Sequence, residues 1–155
     1  MRITKLFATV AMTLLPFTAQ ADYVDTTWVV IGFKGEAWYA NTSAVSGSSQ
    51  RFYKGEAAGV FYQCDYAGQS STYTTYTVNE FLANKEFELL KPAEAILRKS
   101  GKNIYVHRIT CNGNDNPLKR KVLYPFITTD DRYNAYYIYE GGYFSLINKL
   151  GPQKK

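Results

Sequence analysis

The stretch that decides the fold is KVLYPFITTDDRYNAYYIYEGGYFSLI, residues 121–147. It contains three runs rich in β-branched and aromatic residues, separated by the pairs Asp130-Asp131 and Gly141-Gly142. The residues of the runs favour strands, whereas Asp and Gly pairs favour tight turns. The pattern therefore predicts three antiparallel strands at residues 121–128, 135–139 and 143–147, joined by short turns.

Similar runs precede this stretch at residues 104–111, 71–78, 59–66 and 27–31. Lys34-Gly35 is expected to turn the first run back into a strand at residues 36–40. The short spacing predicts an antiparallel meander. The fold class is thus mainly β, a β-rich α+β fold built on a single antiparallel sheet or a small half-closed barrel, in which closure removes exposed edges.

One or two short helices are expected around residues 78–100. The pattern Thr77-x-x-Glu80 is a capping box, and the helix that it starts is predicted to end near residue 85. A second helix is predicted from Pro92 to Ser100-Gly101, because proline suits a first helical position. It is expected to cover the sheet through one face formed by Ala93, Ile96 and Leu97.

Residues 1–21 have the pattern of a cleaved secretory signal peptide. Arg2 and Lys5 form a basic start, residues 6–15 carry no charge, and residues 19–21 read Ala-Gln-Ala. The uncharged run is too short for a bilayer, which needs about 20 residues. We expect a periplasmic or secreted protein, with residues 22–155 forming one β-rich domain without a transmembrane segment; an uncleaved anchor is the alternative.

The two cysteines, Cys64 and Cys111, both lie in the expected mature part. In an oxidising compartment they predict one disulfide, Cys64–Cys111, which we expect to join neighbouring strands. A redox or nucleophilic cysteine is the alternative, although redox pairs are usually spaced as C-x-x-C.

Charge divides the expected mature chain into two parts. Residues 22–90 hold 4 Lys and Arg against 8 Asp and Glu, whereas residues 91–155 hold 12 against 5. The basic part suits an anionic surface, and nucleic acid is the less favoured partner; an ordinary solvated surface is the alternative. The residues that would form a basic patch are Arg98, Lys99, Lys102, Arg108 and residues 119–121.

Tyrosine is unusually frequent near the C-terminus. The candidate ligand-binding residues are Tyr133, Tyr136, Tyr137, Tyr139 and Tyr143. Tyrosine combines an apolar ring with a hydroxyl, which suits a binding surface. The alternative is that these tyrosines fill outward positions of the strands and the rim of the core. Strand alternation places Tyr137 on one face of the sheet and Tyr136 with Ile138 on the other.

Signals for catalysis and for metal or cofactor binding are weak. His107 is the single histidine, so no multi-histidine metal site can form, and no cofactor motif is present. His107, together with an acidic residue such as Asp65, is a candidate general base. The alternative is that His107 is a structural or surface histidine. Asp130-Asp131 is a candidate cation-binding site or acid–base pair. The alternative is that these residues simply form a turn.

Two short stretches resemble lipocalin motifs. Trp28 lies near the start of the first strand, and Thr129-Asp130 lies shortly before the tyrosines. The sequence lacks the glycine two residues before Trp28 and the tyrosine after Thr-Asp, where Asp131 stands. No helix is expected after the last strand. We therefore assign no family and transfer no residues.

These features favour a non-enzymatic binding or interaction protein with a tyrosine-rich surface. Its partner is expected to be a small hydrophobic molecule, an envelope component or a protein, including an enzyme that it inhibits. The alternative is a small extracytoplasmic hydrolase or isomerase that uses His107 with an acidic residue.

Overall fold

A computed structural model describes residues 26–35, 45–52, 56–58, 63–65, 73–110, 123–139 and 141–152. Most of these residues belong to strands. In chain order the strands are β1 (Thr27–Gly35), β2 (Ser49–Phe52), β3 (Glu56–Ala58), β4 (Gln63–Asp65), β5 (Tyr73–Thr77), β6 (Asn103–Thr110), β7 (Leu123–Thr129), β8 (Asn134–Tyr139) and β9 (Gly142–Asn148).

The strands form one sheet in the order β4-β3-β2-β1-β9-β8-β7-β6-β5, and every neighbouring pair is antiparallel. The expected meander is therefore confirmed, in two parts. Strands β1 to β4 follow one another along the sheet, as do β5 to β9. The long-range pairing of β1 with β9 joins the two parts.

The length of the β4–β5 connection requires this sheet to curl. Eight residue steps separate Asp65 from Tyr73, a reach of about 29 Å in a fully extended chain. A flat sheet of nine strands would place its edges about 38 Å apart. The sheet is therefore curled into a half-barrel, with β4 and β5 as its two edge strands.

The region between β5 and β6 forms a helical layer. It consists of α1 (Val78–Ala83), a 3₁₀ helix (Lys85–Ala93) and α2 (Glu94–Lys99). The predicted capping box is confirmed: the Thr77 side chain accepts from the Glu80 N–H, and the Glu80 carboxylate accepts from the Thr77 N–H at 2.8 Å. The chain then enters the 3₁₀ helix at Asn84, whose side chain accepts from the Glu86 N–H.

The helical layer covers the convex face of the sheet. Its buried side chains contact strand residues of β6 to β9, and together they form one apolar core containing Val78, Phe81, Phe87, Leu90, Ala93, Leu97, Ile104, Val106, Ile127, Tyr136 and Tyr143. Phe81 and Phe87 stack at 4.4 Å between ring centroids. Apolar burial of this kind is the main stabilising contribution in a domain of this size.

Three local expectations were wrong. Lys34 and Gly35 do not form a turn, because they continue β1 and pair with Tyr143 and Gly142. Gly142 likewise belongs to β9 and not to the preceding turn. Ile96 is 49% exposed, so it does not share the buried face of Ala93 and Leu97.

Some sequence expectations fall outside the described residues. These include the signal peptide, the strand at residues 36–40 and Cys111. The backbone of Cys64 lies in β4, which pairs with β3, whereas β6 pairs with β5 and β7. The sheet order therefore does not make β4 and β6 neighbours, contrary to the expectation for the disulfide. Within the described ranges, no helix is long and apolar enough to cross a membrane.

Candidate functional site

The concave face of the half-barrel carries a continuous row of aromatic side chains. Strand register places His107 of β6 opposite Phe126, Phe126 opposite Tyr137, and Tyr137 opposite Phe144. Phe144 in turn lies opposite Phe33 of β1. Directly paired residues project from the same face of a sheet. We call these five residues the aromatic row.

Three neighbouring pairs of rings in the aromatic row contact each other along the sheet. Centroids lie 5.6 Å apart for His107 and Phe126, 6.2 Å for Tyr137 and Phe144, and 4.8 Å for Phe144 and Phe33. Gly142 leaves space for the last ring, because a Cβ at this position would lie 2.3 Å from Phe33 Cζ. The row therefore depends on a residue without a side chain in β9.

Trp28 of β1 contacts this row from across the concave face. Its ring lies 5.5 Å from that of Phe126, in a T-shaped arrangement. In the sheet, β9 and β8 separate β1 from β7, which amounts to about 14 Å in a flat sheet. The contact therefore exists because the sheet curls, and it identifies this side as the interior.

The indole N–H of Trp28 is an unpaired donor in this interior. Trp28 is 1% exposed, and its Nε1 has no hydrogen-bond acceptor in the described structure. Leaving a buried donor unsatisfied costs about 1–3 kcal/mol. Buried indole N–H groups usually have a partner, so this atom marks a position where an acceptor from outside the chain would be stabilised.

Polar side chains flank Trp28 in the same register position. Gln50 of β2 and Asn148 of β9 lie opposite it, and both are buried. Asn148 is fully engaged: its Oδ1 accepts from the Thr26 hydroxyl at 2.9 Å and from the Leu150 N–H. This end of the concave face, next to the aromatic row, is thus lined by buried polar side chains, of which Asn148 is held by hydrogen bonds.

His107 is buried within the row and is neutral at physiological pH. Its Nε2 is 3.0 Å from the Thr128 hydroxyl, and the residue is 4% exposed. Burial disfavours the imidazolium and lowers the pKa of His107 to about 4. A ring of this basicity is a weak proton acceptor near pH 7. The side chain of Asp65, the candidate partner, lies outside what the structure describes.

The candidate tyrosines do not form one surface. Tyr137 lies in the aromatic row, whereas Tyr136 and Tyr143 pack together in the convex core with ring centroids 6.0 Å apart. Burial raises the pKa of Tyr136 to about 12. Tyr133 is half-buried, and the side chain of Tyr139 lies outside the description. The predicted alternation of Tyr136 and Tyr137 between faces is confirmed.

Asp130 anchors the start of β6. Its Oδ2 accepts from the backbone N–H groups of Lys102 and Asn103 at 2.8 and 2.9 Å, and its Oδ1 accepts from the Tyr105 hydroxyl at 2.7 Å. Desolvation raises the pKa of Asp130, but these hydrogen bonds outweigh it and lower the pKa below its usual value. Gly101 makes the approach feasible, since a Cβ there would lie 2.3 Å from Asp130 Cβ.

Asp131 holds the β7–β8 turn in the same way. Its Oδ1 accepts from the Thr129 hydroxyl at 2.7 Å and from the Tyr133 N–H at 2.8 Å. The Asn134 side-chain amide donates to Oδ2 at 2.9 Å. These contacts favour the turn over a cation site. Among the described residues, no group of three or more His, Cys, Asp or Glu side chains is placed to hold a metal ion.

Two of the residues expected in a basic patch are engaged with carboxylates. Arg108 forms a bidentate ion pair with Glu86. Arg98 pairs with Glu94 at 2.8 Å. Residues 119–121 lie outside the described ranges. Of the described residues expected in this patch, Lys99 and Lys102 are those without a carboxylate partner.

The sequence predicts a ligand site on a concave sheet or barrel mouth lined by Tyr and Phe, but it does not single out the aromatic row and Trp28 as parts of one site. Strand alternation could have placed Phe126 and Tyr137 on inward positions of their strands. The curl and the β1–β9 pairing bring Trp28 across to them, and neither has a local sequence signal. No family model matches the chain, and neither a curated protein nor a solved structure is found to be similar to it.

Proposed function

We propose that residues 22–155 form an extracytoplasmic, non-enzymatic binding protein whose ligand is a small hydrophobic molecule. The proposed site is the concave face, at the aromatic row and Trp28. The observation that carries the proposal is the unpaired, buried indole N–H of Trp28 beside Phe126. The ligand would place an apolar body against the rings and a hydrogen-bond acceptor at Trp28 Nε1.

The state of His107 favours binding over catalysis. A general base must accept a proton near the working pH, and burial lowers the pKa of this ring to about 4. Its Nε2 hydrogen-bonds to Thr128, a hydroxyl within the same interior. His107 therefore serves the proposed site as a neutral part of its lining.

The expected disulfide, Cys64–Cys111, gains a specific role from the sheet order. Cys64 lies in β4, one edge strand of the sheet, and Cys111 follows the last residue of β6. Tyr73, the first described residue of β5, pairs with His107, so residues 108–110 of β6 lie beyond the described part of β5. We propose that the disulfide joins the two sides of the half-barrel at this extension.

The disulfide and the leader are tested together on protein recovered from the extracytoplasmic fraction. Intact mass under non-reducing conditions is expected to show two hydrogens fewer than the reduced chain, with an N-terminus at Asp22. A mass with two free thiols contradicts the disulfide, and an N-terminus at Met1 contradicts cleavage. The Cys64→Ser variant provides the matched free-thiol reference.

The ligand is tested by native mass spectrometry of the same preparation. We expect a small molecule to accompany the wild-type chain. The Trp28→Phe variant keeps an aromatic ring but removes the N–H, and we expect it to retain the molecule at about tenfold lower affinity, the loss expected for one hydrogen bond. Recovery of the chain with no bound small molecule under gentle conditions contradicts the proposal.

A further inference from the structure

The concave face presents rings along the whole aromatic row. Each residue of the row has a planar side chain, and Trp28 adds an indole beside Phe126. The three central rings, those of Phe126, Tyr137 and Phe144, are at most 3% exposed. Buried side chains are close-packed, which holds these rings in fixed orientations. A ligand on this face therefore meets aromatic surfaces that are already ordered.

Aliphatic side chains occupy a separate register position on the same face. Leu146 of β9 lies opposite Val30 of β1 on one side and opposite Ala135 of β8 on the other, and all three are buried. Along β9 this position lies between Phe144 and Asn148. The aliphatic and aromatic side chains are therefore segregated, and the aliphatic position offers a ligand apolar burial without ring contacts.

The charged strand residues with described side chains lie on the convex side: Lys34, Arg51 and Arg108. Lys34 pairs with Tyr143 of the convex core. The other two each follow a concave residue in their strands, so alternation turns them away from the concave face. In the described part of the concave face, recognition thus depends on ring surfaces and on the N–H of Trp28.

We propose that the ligand is a planar aromatic molecule that carries an oxygen acceptor, as distinct from an acyl chain; this inference rests on the proposed binding function. The ring system of the ligand contacts the aromatic row, and its oxygen accepts from Trp28 Nε1. Aromatic pairs prefer offset-stacked or edge-to-face arrangements. The face contains both, at Tyr137 with Phe144 and at Trp28 with Phe126, and a further ring extends either pattern.

The energetics of ring contacts favour an aromatic ligand over an acyl chain. A chain gains from the burial of its apolar surface, which any apolar lining provides. A ring gains, in addition, about fivefold in affinity for each aromatic pair that it forms. A planar ring system also has fewer torsions to immobilise on binding than a chain has. Two ring contacts are enough for a preference of more than about tenfold.

The test is a calorimetric titration with two ketones, 2-acetonaphthone and 2-dodecanone. They have the same number of carbon atoms and one carbonyl each, but the first is a planar ring system and the second an open chain. A lining that recognised apolar surface alone would prefer the chain, because the chain buries more of it. We expect 2-acetonaphthone to bind about tenfold more tightly.

Two pairs of variants separate the ring contacts from the acceptor and from the fold. Phe144→Leu should weaken 2-acetonaphthone about fivefold and change 2-dodecanone less than about twofold, since it removes one aromatic contact. Phe33→Leu, at the half-buried end of the row, is expected to act in the same direction and serves if Phe144→Leu does not fold. Phe81→Leu, in the convex core, should leave both affinities unchanged. Trp28→Phe should weaken both ketones alike and keep their ratio.

The outcomes distinguish this inference from the proposed function. Equal or tighter binding of 2-dodecanone, or equal effects of Phe144→Leu on both ketones, would overturn the aromatic class while leaving a hydrophobic ligand in place. An aliphatic molecule in the native mass spectrum would do the same. Binding of neither ketone overturns the inference, and the native mass spectrum then decides separately whether a small molecule is bound at all.

Discussion

The two faces of the sheet differ in the polar atoms that they bury. On the convex face, aliphatic and aromatic side chains from the helical layer fill the space over the strands. On the concave face, aromatic rings surround polar atoms such as Trp28 Nε1 and His107 Nε2. The convex core also contains polar atoms, the hydroxyls of Tyr136 and Tyr143, but a buried polar atom without a partner, such as Trp28 Nε1, costs free energy. This contrast supports the proposal that the concave face recognises a ligand, whereas the convex face stabilises the fold.

Leu97→Ala should have the largest effect, because Leu97 is fully buried in the convex core. The expected loss is about 3 kcal/mol in the free energy of unfolding, measured by chemical denaturation. Ile96→Ala removes a similar side chain from the adjacent, half-exposed position and should cost less than about 0.5 kcal/mol. Equal losses in the two variants would show that the convex core is wrongly placed.

The burial of His107 on the concave face should make the free energy of unfolding depend on pH. The folded-state pKa of His107 lies below its unfolded value, so the unfolded chain takes up the proton first as pH falls. The contribution of the buried, neutral His107 ring to the free energy of unfolding is complete above pH 6.5 and is lost as the pH falls toward 4. Between pH 7 and 4.5 the wild type should lose about 2.5 kcal/mol more than His107→Gln. Parallel pH profiles would contradict the burial of this ring.

Asp130→Asn tests the hydrogen bonds that join the β7–β8 turn to the start of β6. The amide cannot accept all the hydrogen bonds that Lys102, Asn103 and Tyr105 donate, so a loss of about 1.5 kcal/mol is expected at pH 7. The wild-type advantage should disappear as pH falls through the lowered pKa of Asp130. If the difference persists in acid, the charge of the carboxylate is not its source.

The Arg108–Glu86 ion pair should have the smallest effect. Both side chains are about one-third exposed or more, and surface pairs contribute little. Arg108→Gln is expected to cost about 0.5 kcal/mol, measured at low and high salt, with a smaller difference at high salt. A cost above about 2 kcal/mol would mean that the pair positions the 3₁₀ helix on β6.

Local sequence signals predicted local structure well. The capping box at Thr77 and Glu80 formed as expected, and the runs from residue 104 to 147 became β6 to β9 with shifts of one or two residues at most ends. Each depends on backbone preferences and hydrogen bonds between residues close in sequence. The faces of Tyr136 and Tyr137 follow from strand alternation for the same reason.

Long-range contacts override local signals where the prediction failed. Lys34-Gly35 suits a turn, but pairing with Tyr143 and Gly142 keeps it in β1. Pro92 suits the first turn of a helix, yet it lies inside a 3₁₀ helix that begins at Lys85. Ile96 lies in α2, where the buried face continues from Ala93 to Leu97 at a spacing of four residues, so Ile96, three residues after Ala93, is exposed.

The site was the least predictable part. Tyrosine frequency pointed to a surface, yet Tyr136, Tyr137 and Tyr143 are all buried, on opposite faces of the sheet. Trp28 reaches Phe126 because the sheet curls, and curling follows from sheet order and loop length. The sheet order cannot be obtained before the β1–β9 pairing is known.

The most direct test of the difference between the two faces is a binding titration with an amphipathic fluorescent probe, 1-anilinonaphthalene-8-sulfonate. It has an aromatic body and an anionic acceptor, which suit the rings and the indole N–H of Trp28. We predict saturable binding that Trp28→Phe weakens about tenfold and that Tyr143→Phe, which removes a hydroxyl from the convex core, leaves unchanged. Equal affinities for both variants, or a larger loss with Tyr143→Phe, would contradict the assignment of recognition to the concave face.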